Sequence, residues 1–281
     1  MLDAIRTGLD SYRAGRVMSK SRYSMQIGNV SPGVFEYWQR TAHLEFEGIP
    51  KDKVFFAQAL EGLLDFFACV RDSGKPCGLP SAAADSVWHA WAARAPANLE
   101  RFCVRHFGRA IPHIEEADMK PQMDSALATC MVHARRLEKR DPIRPSVPAL
   151  FALDRKLRMP RGYSYDLKDG AVTLQRLNAH GLPEGWRRYQ GGLECVQLLS
   201  AGLISQQAYE TYEKQQRQVG AACGSGSSSG GSCGSSSSNS SSASCNSTDA
   251  GCADSGGGDS GGDGGGGGCG GGCGGGGGCG S

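Results

Sequence analysis

After Val219 the chain has no lysine, no arginine, no aromatic residue and almost nothing apolar. Burial there could not offset the backbone entropy of ordering, so residues 219–281 are expected to form a disordered Gly/Ser/Cys-rich tail. Its only charges are Asp249, Asp254, Asp259 and Asp263, which leaves +6 on the body and −4 on the tail. No stretch approaches 18 consecutive apolar residues, so a membrane span is not expected. The first residues, MLDAIRTGLDSYRAGRVM, lack the apolar core and small-residue cleavage site of a secretory leader, and cytoplasmic residence is the expectation. The chain also lacks a P-loop, a dinucleotide-binding fingerprint and an HExxH helix, which removes the commonest nucleotide and metalloprotease readings.

Cysteine is present, but not in the patterns that give it a role at sight. Seven of the 12 cysteines (Cys223, Cys233, Cys245, Cys252, Cys269, Cys273 and Cys279) sit among glycine and serine, with no CxxC pair and no neighbouring histidine. The other five, Cys69, Cys77, Cys103, Cys130 and Cys195, fall mostly within apolar patterns, and their odd number argues against a full disulfide framework. Buried free thiols are expected there.

What remains, up to residue 218, is long enough to bury a real core. Its periodicity is helical. Helices are expected over 2–14 and 33–46. A third, capped by Asp52, carries Phe56, Leu60, Leu63 or Leu64, and Phe67 at three- to four-residue spacing. Ser81 is positioned to cap a helix reaching Arg94, and Pro96 to start another over 97–106 that stops at Gly108. A longer helix is expected from Pro121 to about Arg140, and a short one in PALFALDRKL. Asp169-Gly170 lies between short alternating runs and predicts one small hairpin over 161–177. A helical pair near 190–200 and 205–217 closes the body. The fold class is mainly all-α: a compact multi-helix domain over 1–165, a small extension over 166–218, then the tail.

Chemistry concentrates in Ser81–His113, which holds three of the six histidines and two of the four tryptophans. Asp85 and His89 are an i, i+4 pair on one helical face, and Cys103 and His106 an i, i+3 pair on the next helix. His113 follows a glycine and a proline that would turn it back. Two readings are open. Asp85, Trp88, His89, Cys103, His106 and His113 would form a polar network in which Trp88 anchors the core and His89 is neutral and hydrogen-bonded. Alternatively, Asp85, His89, Cys103 and His113 would hold a metal, for which zinc suits all three ligand types. No catalytic residue is assigned.

Asp85, Trp88-His89, Phe102-Cys103, Phe107-Gly108 and His113, followed by Leu150-Phe151-Ala152-Leu153-Asp154, Gly162 and Tyr163, make the stretch 52–165 resemble the bacterial glycine-rich-domain-containing proteins, related to the plant glycine-rich-domain family. The resemblance implies helices around the WH dipeptide and a Gly/Cys-rich tail. It brings no assigned reaction, and the chain lacks the aromatic that commoner members carry near Leu99.

The basic clusters Arg135-Arg136 with Lys139-Arg140, Arg155-Lys156 with Arg158 and Arg161, and Arg187-Arg188 with Arg217 are interleaved with Glu138, Asp141, Asp154 and Glu184. Ordinary solvated helix surface accounts for them, and no specific nucleic acid is expected as a partner. The class these features favour is an interaction or scaffold module with a protein partner. A zinc-dependent, hydrolase-like enzyme using His89, Cys103 and His113 is the alternative, and a weak nucleic-acid or acidic-surface binder is the third class.

Overall fold

In the computed structural model, which describes residues 2–114 and 122–222, three helices come first: α1 (Leu2–Lys20), α2 (Ser24–Ile27) and α3 (Gly33–Glu45). Helix α1 runs past the expected stop near residue 14, because buried Ala14 and core-packed Met18 continue its apolar stripe beyond Gly15. The element at the centre is α4 (Lys53–Ser73). Asp52 caps it by accepting the amides of Val54 and Phe55 at 3.0 and 2.8 Å, and Gly74, at φ 61°, ends it in the left-handed conformation that glycine adopts without strain. Between these caps the buried residues run all round the helix, from Phe55 to Val70. A helix apolar on every face must be enclosed.

Helices α5 (Ala82–Arg94), α6 (Pro96–Phe107), α7 (Met123–Leu137) and α8 (Ala149–Leu157) do the enclosing, together with α1. Trp38, Trp91, Phe67 and Phe151 are among the largest side chains fully buried in the shared core. Helix α7 has two apolar faces. Leu127, Cys130, Met131 and Ala134 join the main core, whereas Ala128 and Val132 meet Ile143, Leu198, Leu203 and Ile204 in a smaller second cluster. Arg135 on α7 is buried, and its guanidinium donates to the carbonyls of Ser146 and Pro142 at 3.0 and 2.9 Å, which fastens the proline-rich 141–148 connection.

The expected hairpin forms as β1 (Tyr163–Lys168) and β2 (Ala171–Leu177), turning at Asp169-Gly170 with both residues at positive φ. Tyr165 and Val172 face the main core, and the Tyr165 ring meets Phe151 edge-on at 4.9 Å. A third antiparallel strand, β3 (Pro183–Tyr189), was not expected. All seven of its residues are exposed, so no apolar alternation marks it, and backbone pairing to β2 holds it in place. Its register with β2 is interrupted between Leu174 and Arg176, and Gly185 sits at φ 78°. A short 3-10 turn, α9 (Cys195–Ser200) and α10 (Gln206–Ala222) complete the described chain.

The expected division at 165/166 falls inside β1, which pairs with β2 along its length. Helix α10 continues past 218, and the rest of the expected tail lies outside the described residues. No described helix is long and apolar enough to cross a membrane.

Candidate metal centre

The helix that carries the site is set by its own N-terminus. Ser81 Oγ accepts the Ala84 amide at 3.2 Å and donates to Asp154 Oδ1 at 2.6 Å. Asp154, in the last turn of α8, also accepts the amides of Ala82, Ala83 and Tyr163 at 2.9, 3.0 and 3.0 Å. One carboxylate thus satisfies two open amides of α5 and the first of β1, where the helix dipole favours a negative charge. Burial pushes the acidity of Asp154 down, while the Ser81 hydroxyl and the three amides pull the other way. Gly162 is required beside it, since a Cβ there would lie 2.6 Å from Asp154 Oδ2.

From this clamp α5 sends Trp88 inward and Asp85 and His89 to the edge. Trp88 is buried against Phe66 and Phe67, with ring centroids 5.4 and 5.3 Å away. His89 is one position on, about 100° around the helix, and stays part-exposed.

His113 arrives from the far end of α6. Gly108, at φ 79°, terminates that helix. Ile111 then buries its side chain in the main core, with its backbone near Cys103. The chain is turned back so that the His113 ring lies 4.5 Å from Trp88 and 4.6 Å from His89. His113 Nε2 is 3.1 Å from Asp85 Oδ1, and His89 Nε2 is 3.6 Å from the same oxygen. The three ligand atoms lie within 4.8 Å of one another. Two bonds of about 2.0–2.1 Å at the tetrahedral angle would place donor atoms about 3.3 Å apart, close to both separations, and the shorter of the two is also a His113–Asp85 hydrogen bond.

The fourth member is Glu45, the last residue of α3. Its Oε2 lies 2.5 Å from His89 Nδ1. A carboxylate only accepts, so Nδ1 carries the proton, and in the neutral ring the lone pair is on Nε2. That atom is buried and makes no hydrogen bond among the described residues. A carboxylate behind one imidazole nitrogen with the other left open is how metal-ligating histidines are held. No short spacing in the sequence marks Glu45, because it lies 44 residues before His89 and reaches it only through the packing of α3 on α5.

Of the six residues singled out in the sequence, Asp85, Trp88, His89 and His113 come together. Cys103 does not join the ligand group. It is fully buried, and burial pushes its thiol up to about 11. The face of α6 that fills the core with Leu99, Phe102 and Phe107 takes Cys103 inward with them. His106 packs on Phe102 at 4.6 Å, and burial, then the charge of Arg105, lowers its pKa.

In comparisons with known proteins, a family model described as UCP032817-like matches residues 50–181, just under half of the chain. The match takes in Asp85, His89 and His113 together with the Ser81–Asp154 clamp, and leaves Glu45 outside. No curated protein and no solved structure matches the chain.

Proposed function

We propose that this is a metal-dependent protein in which Asp85, His89 and His113 hold one zinc ion, with Glu45 orienting His89. The observation that carries the reading is the placement of His113 Nε2 and His89 Nε2 at 3.1 and 3.6 Å from one Asp85 oxygen. The side chains are 19–32% exposed, so the ion would lie near the surface, with water as its fourth ligand. Three protein ligands and a water are the pattern of catalytic rather than structural zinc, and such a water ionises near neutral pH, which suits hydrolytic chemistry. Kinship with the bacterial glycine-rich-domain-containing proteins and cytoplasmic residence are parts of the same proposal.

The test is metal content of the full chain after exhaustive dialysis. Zinc near one per chain is expected in the wild type and in Cys103→Ser, and none in His89→Ala or His113→Ala. A wild type without metal after growth in zinc-supplemented medium overturns the proposal.

An interaction module is the second reading, favoured by Trp186. It is 98% exposed on the irregular strand β3, flanked by half-exposed Leu182 and Tyr189.

A further inference from the structure

Three thiols outside the candidate metal centre line the region between α4, α7 and the connection that leads into α5. Cys69 is on α4, Cys130 on α7 and Cys77 in the 74–80 connection, and all three are free and buried. The Cys130 thiol lies near enough to both of the others for them to shift its acidity. The connection is pressed onto α7. The Gly78 amide donates to the Ala126 carbonyl at 3.0 Å, and a Cβ on Gly78 would lie 3.2 Å from Leu127 Cγ. Ala126 is one helical turn before Cys130, so that hydrogen bond holds Cys77 beside it. Cys77 is the most exposed of the three, at 8% against 1% and 0%. It also touches polar groups, Ser73 Oγ at 3.4 Å and the Lys75 carbonyl at 3.8 Å.

We propose that Cys77 and Cys130 form a peroxide-sensitive dithiol site, which a hydroperoxide closes to a disulfide. The two thiols are unequal. The Cys130 contact, with Ser73 and the charge of Arg109, lowers the Cys77 pKa against the effect of burial, whereas burial raises that of Cys130. The thiolate is the nucleophile, so Cys77 reacts first. Its sulfur attacks the terminal oxygen of the hydroperoxide. The S–O bond forms, the O–O bond breaks, and the departing oxygen leaves as water or alcohol with the proton released by Cys77. Cys130 then attacks the sulfenic sulfur. The S–S bond forms, the S–O bond breaks, and the hydroxyl departs as water with the Cys130 proton. Two thiols lose two electrons, and the hydroperoxide gains them.

The new bond would tie the connection to α7 and close the loop that contains α5 and α6, the helices on which the metal centre is built. A cross-link of this kind restricts the unfolded chain and stabilises the fold.

The test uses the full chain treated with one equivalent of hydrogen peroxide, alkylated under denaturing conditions and mapped by peptide mass spectrometry. The expected result is a Cys77–Cys130 linked peptide, loss of alkylation at both residues together, and a higher denaturant midpoint that returns on reduction. In Cys130→Ser, Cys77 is expected to accumulate as a sulfenic acid trapped by a cyclic dione. Full alkylation of both thiols in the treated wild type overturns the proposal. So does a linkage of Cys130 to Cys69, a linkage of Cys77 to one of the seven cysteines beyond Val219, or a Cys130→Ser protein that traps no adduct. The wild-type map decides the matter even if the variant does not fold.

Discussion

Asp154 Oδ1 receives the Ser81 hydroxyl at 2.6 Å across 73 residues of sequence. That contact sets where α5 starts, and with it the azimuth at which Asp85 and His89 leave the helix. The same carboxylate accepts three amides, so an amide in its place would turn an NH2 group toward N–H donors. Asp154→Asn is expected to cost about 2–4 kcal/mol, because buried donors lose a charged acceptor. Ser81→Ala should cost about 1 kcal/mol, the loss of a cap. Gly162→Ala should destabilise by about 1–3 kcal/mol through overpacking against a carboxylate fixed by four hydrogen bonds. Urea denaturation of the three variants measures this, and equal, near-zero changes would show that the clamp does not position α5.

Glu45 acts on the proposed zinc only through His89. Glu45→Gln is expected to weaken zinc binding about 10–100-fold, as loss of an outer carboxylate does. Because Glu45 is 60% exposed, the metal-free protein should keep nearly the same stability. Competition with a chromophoric chelator reads the first quantity and denaturant unfolding the second. An unchanged affinity would separate Glu45 from the metal centre.

Asp65 makes stability depend on pH in an unusual direction. It is 6% exposed on α4, receives the Tyr23 hydroxyl at 2.9 Å, and has Arg22 at 3.5 Å. Burial outweighs both partners and raises its pKa from 3.8 to about 6. The folded state then holds this proton more tightly than the unfolded chain does. Its contribution is greatest below about pH 4, declines as pH rises toward about 6, and is level above that. The step is on the order of 1–3 kcal/mol. Unfolding free energies from pH 4 to 7 should show it, and Asp65→Asn should flatten it.

Trp186 gives the interaction reading an optical handle. The other three tryptophans, Trp38, Trp88 and Trp91, are 0–4% exposed. Iodide should therefore quench one fraction of the emission, and Trp186→Phe should abolish that fraction while leaving the unfolding midpoint unchanged. Protection of Trp186 in the full chain, lost on dilution, would show that the ring is covered by self-association.

The sequence alone determined the elements whose signals are local. The Phe56, Leu60, Leu63 and Phe67 stripe specified α4 because helical spacing puts those residues on one face. Asp52, Ser81 and Gly108 marked helix ends because capping depends on a few adjacent residues, and Asp169-Gly170 marked a hairpin because its turn needs positive φ. The pairing of Asp85 with His89 was legible for the same reason, one turn of helix separating them.

Tertiary structure decided the rest. Strand β3 has no apolar alternation to read, since it exists only by backbone pairing with β2. Cys103 and Glu45 exchanged their expected importance. Which face of α6 turns inward depends on what α4 and α5 offer it, and that choice buried Cys103 while the loop beyond it delivered His113. Glu45 reaches His89 from a helix 44 residues away. Sequence spacing fixes relations within one turn of helix, whereas a site assembled from α3, α5 and the segment after α6 depends on how three separately encoded pieces pack on α4.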